Sequence, residues 1–380
     1  MTISDLIHAA EAIADPGLAE DWDNVGLLIG SSSWALAGPV LLTIDLTEDV
    51  SAEAVARKCS AIISYHPPLF HAIKRLVDGP GSSLSQRVAL GAIRAGIAVY
   101  SPHTALDAAA GGVTDWLADG LAEHSKADRR AIRPFARADR NGEVKIVTFV
   151  PEASAALVRN ALASAGAGLI GNYELCSFSA PGTGTFRGRE GSNPAVGTAG
   201  QFESTPEMRL EMVCARRAVA LAIETLRQFH PYEEPAIDIY PLEARPDRNV
   251  GPGRRLMLDQ PVALSQLAER LKKHLNIRAV QVASARGDAE TAVSCVGLVP
   301  GAGGSLVQAA RAEGCEVFIT GEMKHHEVNA TLASGVSVIL GGHTATERGY
   351  LPIYARRLGE LLPGVEFVVS AADKDPLHLR

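Results

Sequence analysis

The chain has 380 residues, of which 47% are hydrophobic and 21% charged, and its formal net charge is −7. This length exceeds that of most single domains, so we expect more than one structural unit. The acidic balance argues against a protein that binds nucleic acid non-specifically, because such binding needs a basic surface.

The N-terminal sequence and the apolar runs indicate a cytoplasmic protein. No apolar run reaches about 18 residues, so we expect no membrane span. The opening "MTISDLIHAAEAIADP" is typical of an amphipathic helix with acidic residues and lacks the basic start of a signal peptide. The five cysteines include no CxxC pair, which predicts neither a disulfide framework nor a thiolate zinc site.

The first segment of the chain alternates short apolar strands with helices. The patterns predict strands at 39–47, 59–66 and 96–101, and helices at 4–14, 49–58, 83–96 and 107–121. Short apolar strands separated by helices are typical of a mainly parallel sheet covered on both faces. The polar stretch 125–141 predicts a connection to the next unit.

The middle segment has a different order of elements. A strand at 144–151 and a helix at 152–165 precede a glycine-rich region of turns and hairpins at 166–200. A strand, a helix and a last strand follow at 209–215, 218–228 and 236–242. This β-α-β-β-α-β order predicts a ferredoxin-like split βαβ module over about 142–245.

The last segment returns to the alternation of the first. The patterns predict helices at 264–274, 305–314, 325–334 and 344–361, and strands at 278–283, 291–299, 315–320, 336–340 and 365–370. The two outer segments therefore look like related α/β halves of one domain, and the middle segment looks inserted between them.

Histidines and carboxylates follow three of the predicted strands. His66 ends "AIISYH" just before two prolines, His103 and Asp107 lie in "SPHTALD", and His343 and Glu347 lie in "GGHTATERG". Ligands collect beyond the carboxyl ends of strands in open α/β sheets, and residues i and i+4 of a helix share one face. Imidazole with carboxylate suits zinc, manganese, iron, cobalt or nickel, so the repeated phrase predicts a metal site.

Simpler interpretations stand beside this prediction. A single HxxxE pair is more often an exposed helical pair than a ligand set, and His66 alone would more often be a hydrogen-bonded turn residue. The residues of "GEMKHHEV" could either line the pocket or begin a solvated helix, and His326 is the better candidate among them for lining the pocket. Two interpretations are open for Asp45 and Asn24, which either border the cleft or stabilise turns. Two are also open for "GLVPGAGG", which is either a tight turn or an anion site at the start of a helix.

Several phrases together resemble those of the Nif-three-like dinuclear metal-centre family, whose members are often described as GTP cyclohydrolase I type 2 homologues. The resemblance covers essentially the whole chain and implies the long form of the family, with a middle insertion similar to signalling-trimer folds. The phrases are "DWDNVGLLIG", "ISYHPPLF", "VYSPHTALDAAAGGVTDWL", "VFITGEMKHHEVNA" and "VILGGHTATERG", with "IGNYELCSFSAPGTGTFRG" and "HPYEEPAIDIYPL" in the middle.

The resemblance implies a domain plan and a two-metal site. The Nif-three-like domain would comprise residues 1–138 and 247–380, interrupted by the inserted ferredoxin-like module at 139–246. Two divalent ions would be held by His66, Asp107, His343 and Glu347, with Glu347 bridging them and with His103 and Glu347 as catalytic residues. Many bacterial members have His-His before the proline, whereas this chain has Tyr65-His66, which leaves one metal with fewer protein ligands.

The functional expectation is a metal-dependent hydrolase that acts on a nucleotide or another phosphorylated small molecule, with GTP cyclohydrolase-like activity as one candidate. The alternative is a metal-binding regulatory protein, in which the inserted module senses a ligand. A third candidate is metal storage without catalysis. The family resemblance also implies a ring-shaped homohexamer.

Overall fold

The computed structural model describes residues 1–122, 128–136, 142–243 and 246–377. The chain divides into unit one, Met1–Phe135 with Asp247–Arg380, and unit two, Ala136–Pro246. The boundary expected between residues 138 and 139 lies outside the described residues. The α/β class is confirmed, since helices alternate with mainly parallel strands in unit one.

The described residues of the first segment of unit one form five α-helices and four strands, and two short strands follow, the last of which ends at the first residue of unit two. The helices are α1 (Ile3–Ile13), α2 (Glu48–Ala56), α3 (Leu84–Ala95), α4 (His103–Ala108) and α5 (Val113–Asp119). The strands are β1 (Gly26–Ile29), β2 (Val40–Thr43), β3 (Ala61–Ser64), β4 (Ala98–Ser101), β5 (Arg129–Ala131) and β6 (Phe135–Ala136).

Unit two comprises β7 (Glu143–Val150), α6 (Glu152–Ser164), β8 (Phe178–Arg187), β9 (Phe202–Ala215), α7 (Val219–Phe229) and β10 (Ile237–Pro241). Its four strands form an antiparallel sheet in the order β10-β7-β9-β8. Apolar side chains of α6 and α7, among them Val158 and Leu226, pack in one core with those of the strands.

The last segment begins with β11 (Pro246–Asp247), which pairs with β6 in a sheet of its own. The remaining strands are β12 (Arg254–Ala263), β13 (Gln281–Ala283), β14 (Ala292–Leu298), β15 (Val317–Thr320), β16 (Ser337–Leu340) and β17 (Phe367–Val369). The helices are α8 (Leu264–Leu275), α9 (Val307–Ala312), α10 (His325–Ala333), α11 (Ala345–Arg348) and α12 (Leu351–Leu361).

Two sheets of unit one repeat the same strand order. The first runs β1-β4-β3-β2-β17, and the second runs β13-β16-β15-β14-β12-β5. In each sheet three parallel strands lie side by side, β2, β3 and β4 in the first and β14, β15 and β16 in the second. An antiparallel strand lies beside them, since β1 pairs with β4 and β13 pairs with β16. The outer strand of the first sheet, β17, comes from the end of the chain and runs parallel to β2.

Candidate site residues follow the carboxyl ends of six parallel strands, β2, β3 and β4 in the first sheet and β14, β15 and β16 in the second. Asp45, His66 and His103 follow β2, β3 and β4 within two residues. Gly301, Glu322 and His343 follow β14, β15 and β16 within three residues. The two sheets therefore bring corresponding sets of residues to one site, because ligands collect at this end of a parallel sheet.

One core joins the two segments of unit one. It contains Leu42 and Tyr100 from the first sheet, Val296 and Ile339 from the second, and Tyr354 from α12. Separate apolar clusters cover the opposite faces of the two sheets. Covered faces explain the continuous apolar runs from which the strands were predicted. Among the described residues, no helix is long and apolar enough to cross a membrane.

Two long helices expected from the sequence are wrong, because each is interrupted. The helix expected at 107–121 is split into α4 and α5 around Gly112, where a Cβ would come within 1.9 Å of the Leu106 carbonyl oxygen. The helix expected at 344–361 is split into α11 and α12 around Gly349, where a Cβ would come within 2.2 Å of the Trp116 ring. Close packing thus requires glycine at both breaks.

Strands β1 and β12 were missed in the sequence. In β12, alternate residues are buried, but the first of these is Arg254 rather than an apolar residue. A buried arginine hides the two-residue period by which half-buried strands are recognised.

Candidate metal centre

His66 is held at the end of β3 by backbone contacts with its neighbours. The His66 N–H donates to the carbonyl of Ile44 at 3.0 Å, and the Ser64 hydroxyl donates to the carbonyl of His66 at 2.7 Å. The imidazole Nδ1 lies 2.9 Å from Oδ1 of Asp45. The other ring nitrogen, Nε2, therefore faces Glu347, whose Oε2 lies 3.4 Å away.

His343 has the same arrangement in the second sheet. Its Nδ1 lies 2.9 Å from Oε1 of Glu322, and its Nε2 lies 3.5 Å from Oε1 of Glu347. The rings of His66 and His343 are 5.3 Å apart between centroids. One atom from each of these histidines and from Glu347 lies within 4.8 Å of the others, so the three side chains converge.

Glu347 is the most deeply buried member of this group, with 4% of its side chain exposed. Its Oε2 is buried and has no hydrogen-bond partner among the described residues. A buried carboxylate oxygen left without a partner is costly unless a cation neutralises it. The adjacent backbone leaves no spare room, since a Cβ on Gly301 would lie 2.5 Å from Oε1 of Glu347.

The carboxylates behind the histidines determine which ring nitrogens face the centre. Nδ1 of His66 and Nδ1 of His343 each face a carboxylate, Asp45 or Glu322, so Nε2 is the ring nitrogen of each that is directed at the centre and could bind a metal. Histidines that bind metals commonly have this second contact with a carboxylate. Two such imidazoles and an unpartnered carboxylate oxygen form a donor set that fits a divalent cation.

His103 lies beside this group but belongs to a different network. Its ring is 5.3 Å from that of His66 between centroids, and its Nδ1 lies 2.7 Å from Oδ1 of Asp23. The other Asp23 oxygen accepts bonds from the Thr104 N–H at 3.1 Å and hydroxyl at 2.5 Å. These contacts hold His103 in an unusual backbone conformation, with φ of +28°.

Asp107 lines the cleft but stands outside the group of three converging residues. Its Oδ1 accepts a 2.5 Å hydrogen bond from the Tyr65 hydroxyl. Burial raises the pKa of Asp107 to about 7, against the opposing effects of His103 and of the Tyr65 hydrogen bond. Burial, together with the Asp107 charge, raises the pKa of Tyr65 well above its usual value, so this hydroxyl remains a donor.

The pKa values of His66 and Asp45 reflect their pairing. Burial alone lowers the pKa of His66, but the hydrogen bond to Asp45 and the charge of Glu347 raise it to about 10. Burial raises the pKa of Asp45, but the hydrogen bond and charge of His66 hold it below its usual value. A proton on His66 thus takes the place of a cation, and a bound divalent ion would displace it.

A cleft of about 660 Å³ opens over these residues, and its lining includes His66, His103, Asp107, His343 and Glu347. All the residues that line it belong to unit one. The cleft thus contains every residue predicted for the site, including the two predicted to be catalytic.

The C-terminal residues connect the two sheets behind the site. Asp373 accepts a hydrogen bond from the Ile44 N–H at 2.7 Å and pairs with the Arg348 guanidinium at 2.6 Å. Asp375 accepts a 2.6 Å bond from the Thr344 hydroxyl. Ile44 precedes Asp45 in the chain, and Arg348 and Thr344 lie on either side of Glu347. The C-terminal segment therefore links the positions of Asp45 and Glu347.

Comparison with known proteins gives the chain a family. The model of the Duf34/NIF3 (NGG1p interacting factor 3) family matches residues 1–376. The chain belongs to this family.

Relatives of this Duf34/NIF3 chain match over more than nine-tenths of their lengths. A Bacillus subtilis protein named GTP cyclohydrolase 1 type 2 homolog is 33% identical over 376 residues, covering 98% of this chain and 96% of the relative. NIF3-like protein 1 of Bos taurus is 32% identical and covers 100% and 93%. The solved structure of a Bacillus cereus protein related to NIF3 has a TM-score of 0.71 at 30% identity and covers 100% and 99%.

A Staphylococcus aureus structure has a TM-score of 0.76 at 24% identity, with coverage of 100% of this chain and 99% of the other, and supports the fold alone. The family resemblance inferred from the sequence of this Duf34/NIF3 chain is therefore confirmed along its whole length.

Sequence reasoning missed the partners of the histidines in this Duf34/NIF3 chain. Asp45 and Glu322 were considered only as possible cleft residues, and Asp23 was not considered at all. Glu322, rather than the exposed His326 of the same phrase, contacts the site. A usable clue was present, since Asp45 and Glu322 each stand two residues beyond a buried strand, as His66 does.

Proposed function

We propose that this protein is a hydrolase that depends on two divalent metal ions and acts on a nucleotide or another phosphorylated small molecule. The observation that carries the proposal is the buried, unpartnered Oε2 of Glu347, which faces the Nε2 atoms of His66 and His343. The relatives named GTP cyclohydrolase 1 type 2 homolog make guanine nucleotides the first substrates to test.

The proposed ligands divide between the two ions. His66, His343 and Glu347 would hold one, and Asp107 with Glu347 would hold the other, so that Glu347 bridges them. The Tyr65 hydroxyl donates a hydrogen bond to Oδ1 of Asp107, so the second carboxylate oxygen would be the one that binds an ion. Ions bound there would supply Lewis-acid activation of water and of a phosphate oxygen.

His103 is the proposed general acid–base. Its Nδ1 is hydrogen-bonded to the Asp23 carboxylate, which leaves Nε2 as the nitrogen for proton transfer at the substrate. Its ring lies beside the ring of His66 in the same cleft, so it would reach a substrate bound at the ions.

The second candidate function is ligand sensing, with or without catalysis. We infer a ferredoxin-like module for unit two, because its four antiparallel strands have the order β10-β7-β9-β8 and two helices alternate with them. A cavity of about 610 Å³ within this unit supports the candidate, and its lining includes Phe149, Pro181, Arg209 and Tyr232.

The remaining parts of the proposal come from the sequence and the family. They are a cytoplasmic location, a homohexameric assembly, a small-molecule substrate and no role for nucleic acid. The identity of the metals stays open among zinc, iron, manganese, nickel and cobalt, since imidazole and carboxylate ligands suit them all.

The decisive experiment is to strip the protein of metal, reload it with each candidate ion, and assay GTP, GMP and simple phosphate esters. We expect two ions per chain and release of phosphate or formate. Glu347→Gln should lose at least one ion and at least 10–100-fold in turnover, the loss typical of disturbed metal sites. Glu360→Gln, at an exposed position on α12, is the matched control.

Failure of turnover on every substrate, with two ions bound, would overturn the hydrolase and favour the sensing function. Full turnover of Glu347→Gln with unchanged metal content would show that the bridging role is wrong.

A further inference from the structure

Two exposed aromatic side chains stand together in the wall of the metal-site cleft. Trp22 and Phe70 expose 58% and 42% of their surface, and both line the cleft. Their ring centroids are 5.8 Å apart and their planes are tilted by 47°. Large aromatic rings are usually buried, so an exposed pair beside a polar site suggests that a ligand covers it.

The loop that carries Trp22 is held rigidly on both sides. The Glu20 N–H donates to the Thr104 hydroxyl at 3.1 Å, and the Asp23 side chain is fully buried against His103 and Thr104. A platform of this kind loses little conformational freedom when a ligand binds.

The loop that carries Phe70 is tied to the first loop. The Asn24 side-chain amide donates to the Leu69 carbonyl at 2.5 Å. This hydrogen bond links the two loops close to the rings that they carry.

The pair lies next to the proposed catalytic residues. The Trp22 ring meets the His103 ring edge-on with centroids 6.0 Å apart, and the His103 ring is 5.3 Å from that of His66. One imidazole thus separates the aromatic pair from the metal group. A ligand with a phosphate at the metals would extend its other end past His103 towards Trp22 and Phe70.

The cleft also contains a cationic side chain without a partner. Arg133 is the one arginine or lysine in the cleft lining, it is exposed, and it has no ion pair or side-chain hydrogen bond among the described residues. A free guanidinium in a cleft suits a second anionic group of a ligand.

We propose that Trp22 and Phe70 form a ring-binding subsite that makes the cleft selective for phosphate compounds with a flat aromatic or heteroaromatic ring. This inference rests on the proposed function and adds the chemical class of the substrate. The ring stacks on one of the two side chains and meets the other at a tilt of 47°, because their planes are not parallel. Stacking of this kind tolerates any base, so the subsite selects a ring rather than one nucleotide.

The test is calorimetric titration of the full-length, zinc-loaded protein with GMP and with ribose 5-phosphate, which share a phosphate and differ in the ring. We expect GMP to bind at least tenfold more tightly, and Trp22→Ala and Phe70→Ala each to weaken GMP binding by about tenfold while leaving ribose 5-phosphate unchanged. Trp22→Phe should retain most of the affinity. Phe202→Ala, which removes an exposed aromatic ring of unit two, should change nothing.

Equal affinity for the two compounds, no binding of GMP, or alanine variants that weaken both compounds alike would overturn the subsite. A change in oligomer size in Trp22→Ala without a change in GMP affinity would show that the rings contact another copy of the chain, and would also overturn it. Ring-selective binding without any turnover would uphold the subsite and count against the hydrolase alone.

Discussion

At the scale of single residues, the metal centre depends on what lies immediately against Glu347. The backbone of Gly301 approaches this carboxylate so closely that a methyl group there would lie 2.5 Å from Oε1 and 3.1 Å from Nε2 of His343. The same glycine has φ of +61°, which L-residues rarely adopt. Gly301 lies three residues beyond β14, at the same edge of its sheet as Glu322 and His343.

Gly301→Ala should therefore reduce metal affinity by about tenfold or more, because the methyl group displaces Glu347 or His343. Metal content after dialysis against a graded chelator measures the loss. Gly314→Ala is the matched control, since Gly314 has φ of +80° and nothing within 4 Å of the added Cβ. Equal loss of metal in both variants would mean that backbone strain, rather than the contact with the ligands, is responsible.

At the scale of elements, a buried arginine fixes the short helix that carries His103 and Asp107. Arg254 of β12 is 1% exposed and donates to the carbonyl groups of Ala108 and Ala109 at the end of α4. It also forms two hydrogen bonds with the Asp115 carboxylate of α5, at 2.9 and 3.2 Å. Arg254 thus donates to carbonyl groups that have no partner within the helix where α4 ends, and it does so from a strand of the other segment of the chain.

Arg254→Ala should lower the free energy of unfolding by about 3–5 kcal/mol. The buried Asp115 carboxylate would lose its bidentate partner and keep only Arg129 and the Gly111 N–H, and the carbonyl groups of Ala108 and Ala109 would lose their donor. Denaturant unfolding of unit one measures the change. The double variant Arg254→Met with Asp115→Leu should recover part of the loss, since removing both charges avoids the unpaired one.

Arg356→Ala is the control at this scale, because its pair with Glu360 is exposed and 4.0 Å long, and it should change stability by less than about 1 kcal/mol. A loss for Arg254→Ala no larger than that of the control would mean that this pair does not stabilise the fold.

At the scale of the whole of unit one, the end of the chain fastens the first sheet to the second. Glu53 of α2 accepts hydrogen bonds from the Ser370 hydroxyl at 2.6 Å and from the N–H groups of Ala371 and Ala372 at 3.1 and 3.0 Å. The next residue is Asp373, which pairs with Arg348 beside Glu347. The metal centre therefore depends on a contact between residues more than three hundred positions apart.

Although desolvation opposes it, hydrogen bonding to Ser370, Ala372 and Ala371 lowers the pKa of Glu53 to about 2. A lowered pKa stabilises the fold above the unfolded-state value of about 4.5, and this stabilisation is lost as the pH falls towards 2. Glu53→Gln should thus reduce the free energy of unfolding by about 1–3 kcal/mol at pH 7. The difference from wild type should shrink between about pH 4.5 and pH 2, as measured by denaturant titrations across that range.

Glu360→Gln should show no such dependence on pH, because this carboxylate is 67% exposed and pairs only at 4.0 Å. A difference between wild type and Glu53→Gln that stays constant down to pH 2 would mean that the charge of Glu53 plays no part in the contact.

Local pattern was sufficient for the parts of the molecule that depend on near neighbours in the chain. Buried parallel strands such as β2, β3, β15 and β16 were predicted because both their faces are covered, which makes them continuously apolar. The residues just beyond β3, β4 and β16, which are His66, His103 and His343, were recognised for the same reason. The family was inferred from phrases around these positions and is confirmed.

The tertiary structure decided the features that depend on distant contacts. Gly349 interrupts a helix because the Trp116 ring, from another part of the chain, lies within 2.2 Å of a Cβ at that position, which no local pattern records. The contacts of the carboxylates behind the histidines, Asp45, Glu322 and Asp23, were not predicted for the same reason: each is 21 to 80 positions from its imidazole. The sequence by itself thus determined which residues could act, and the packing of the two sheets decided which of them meet.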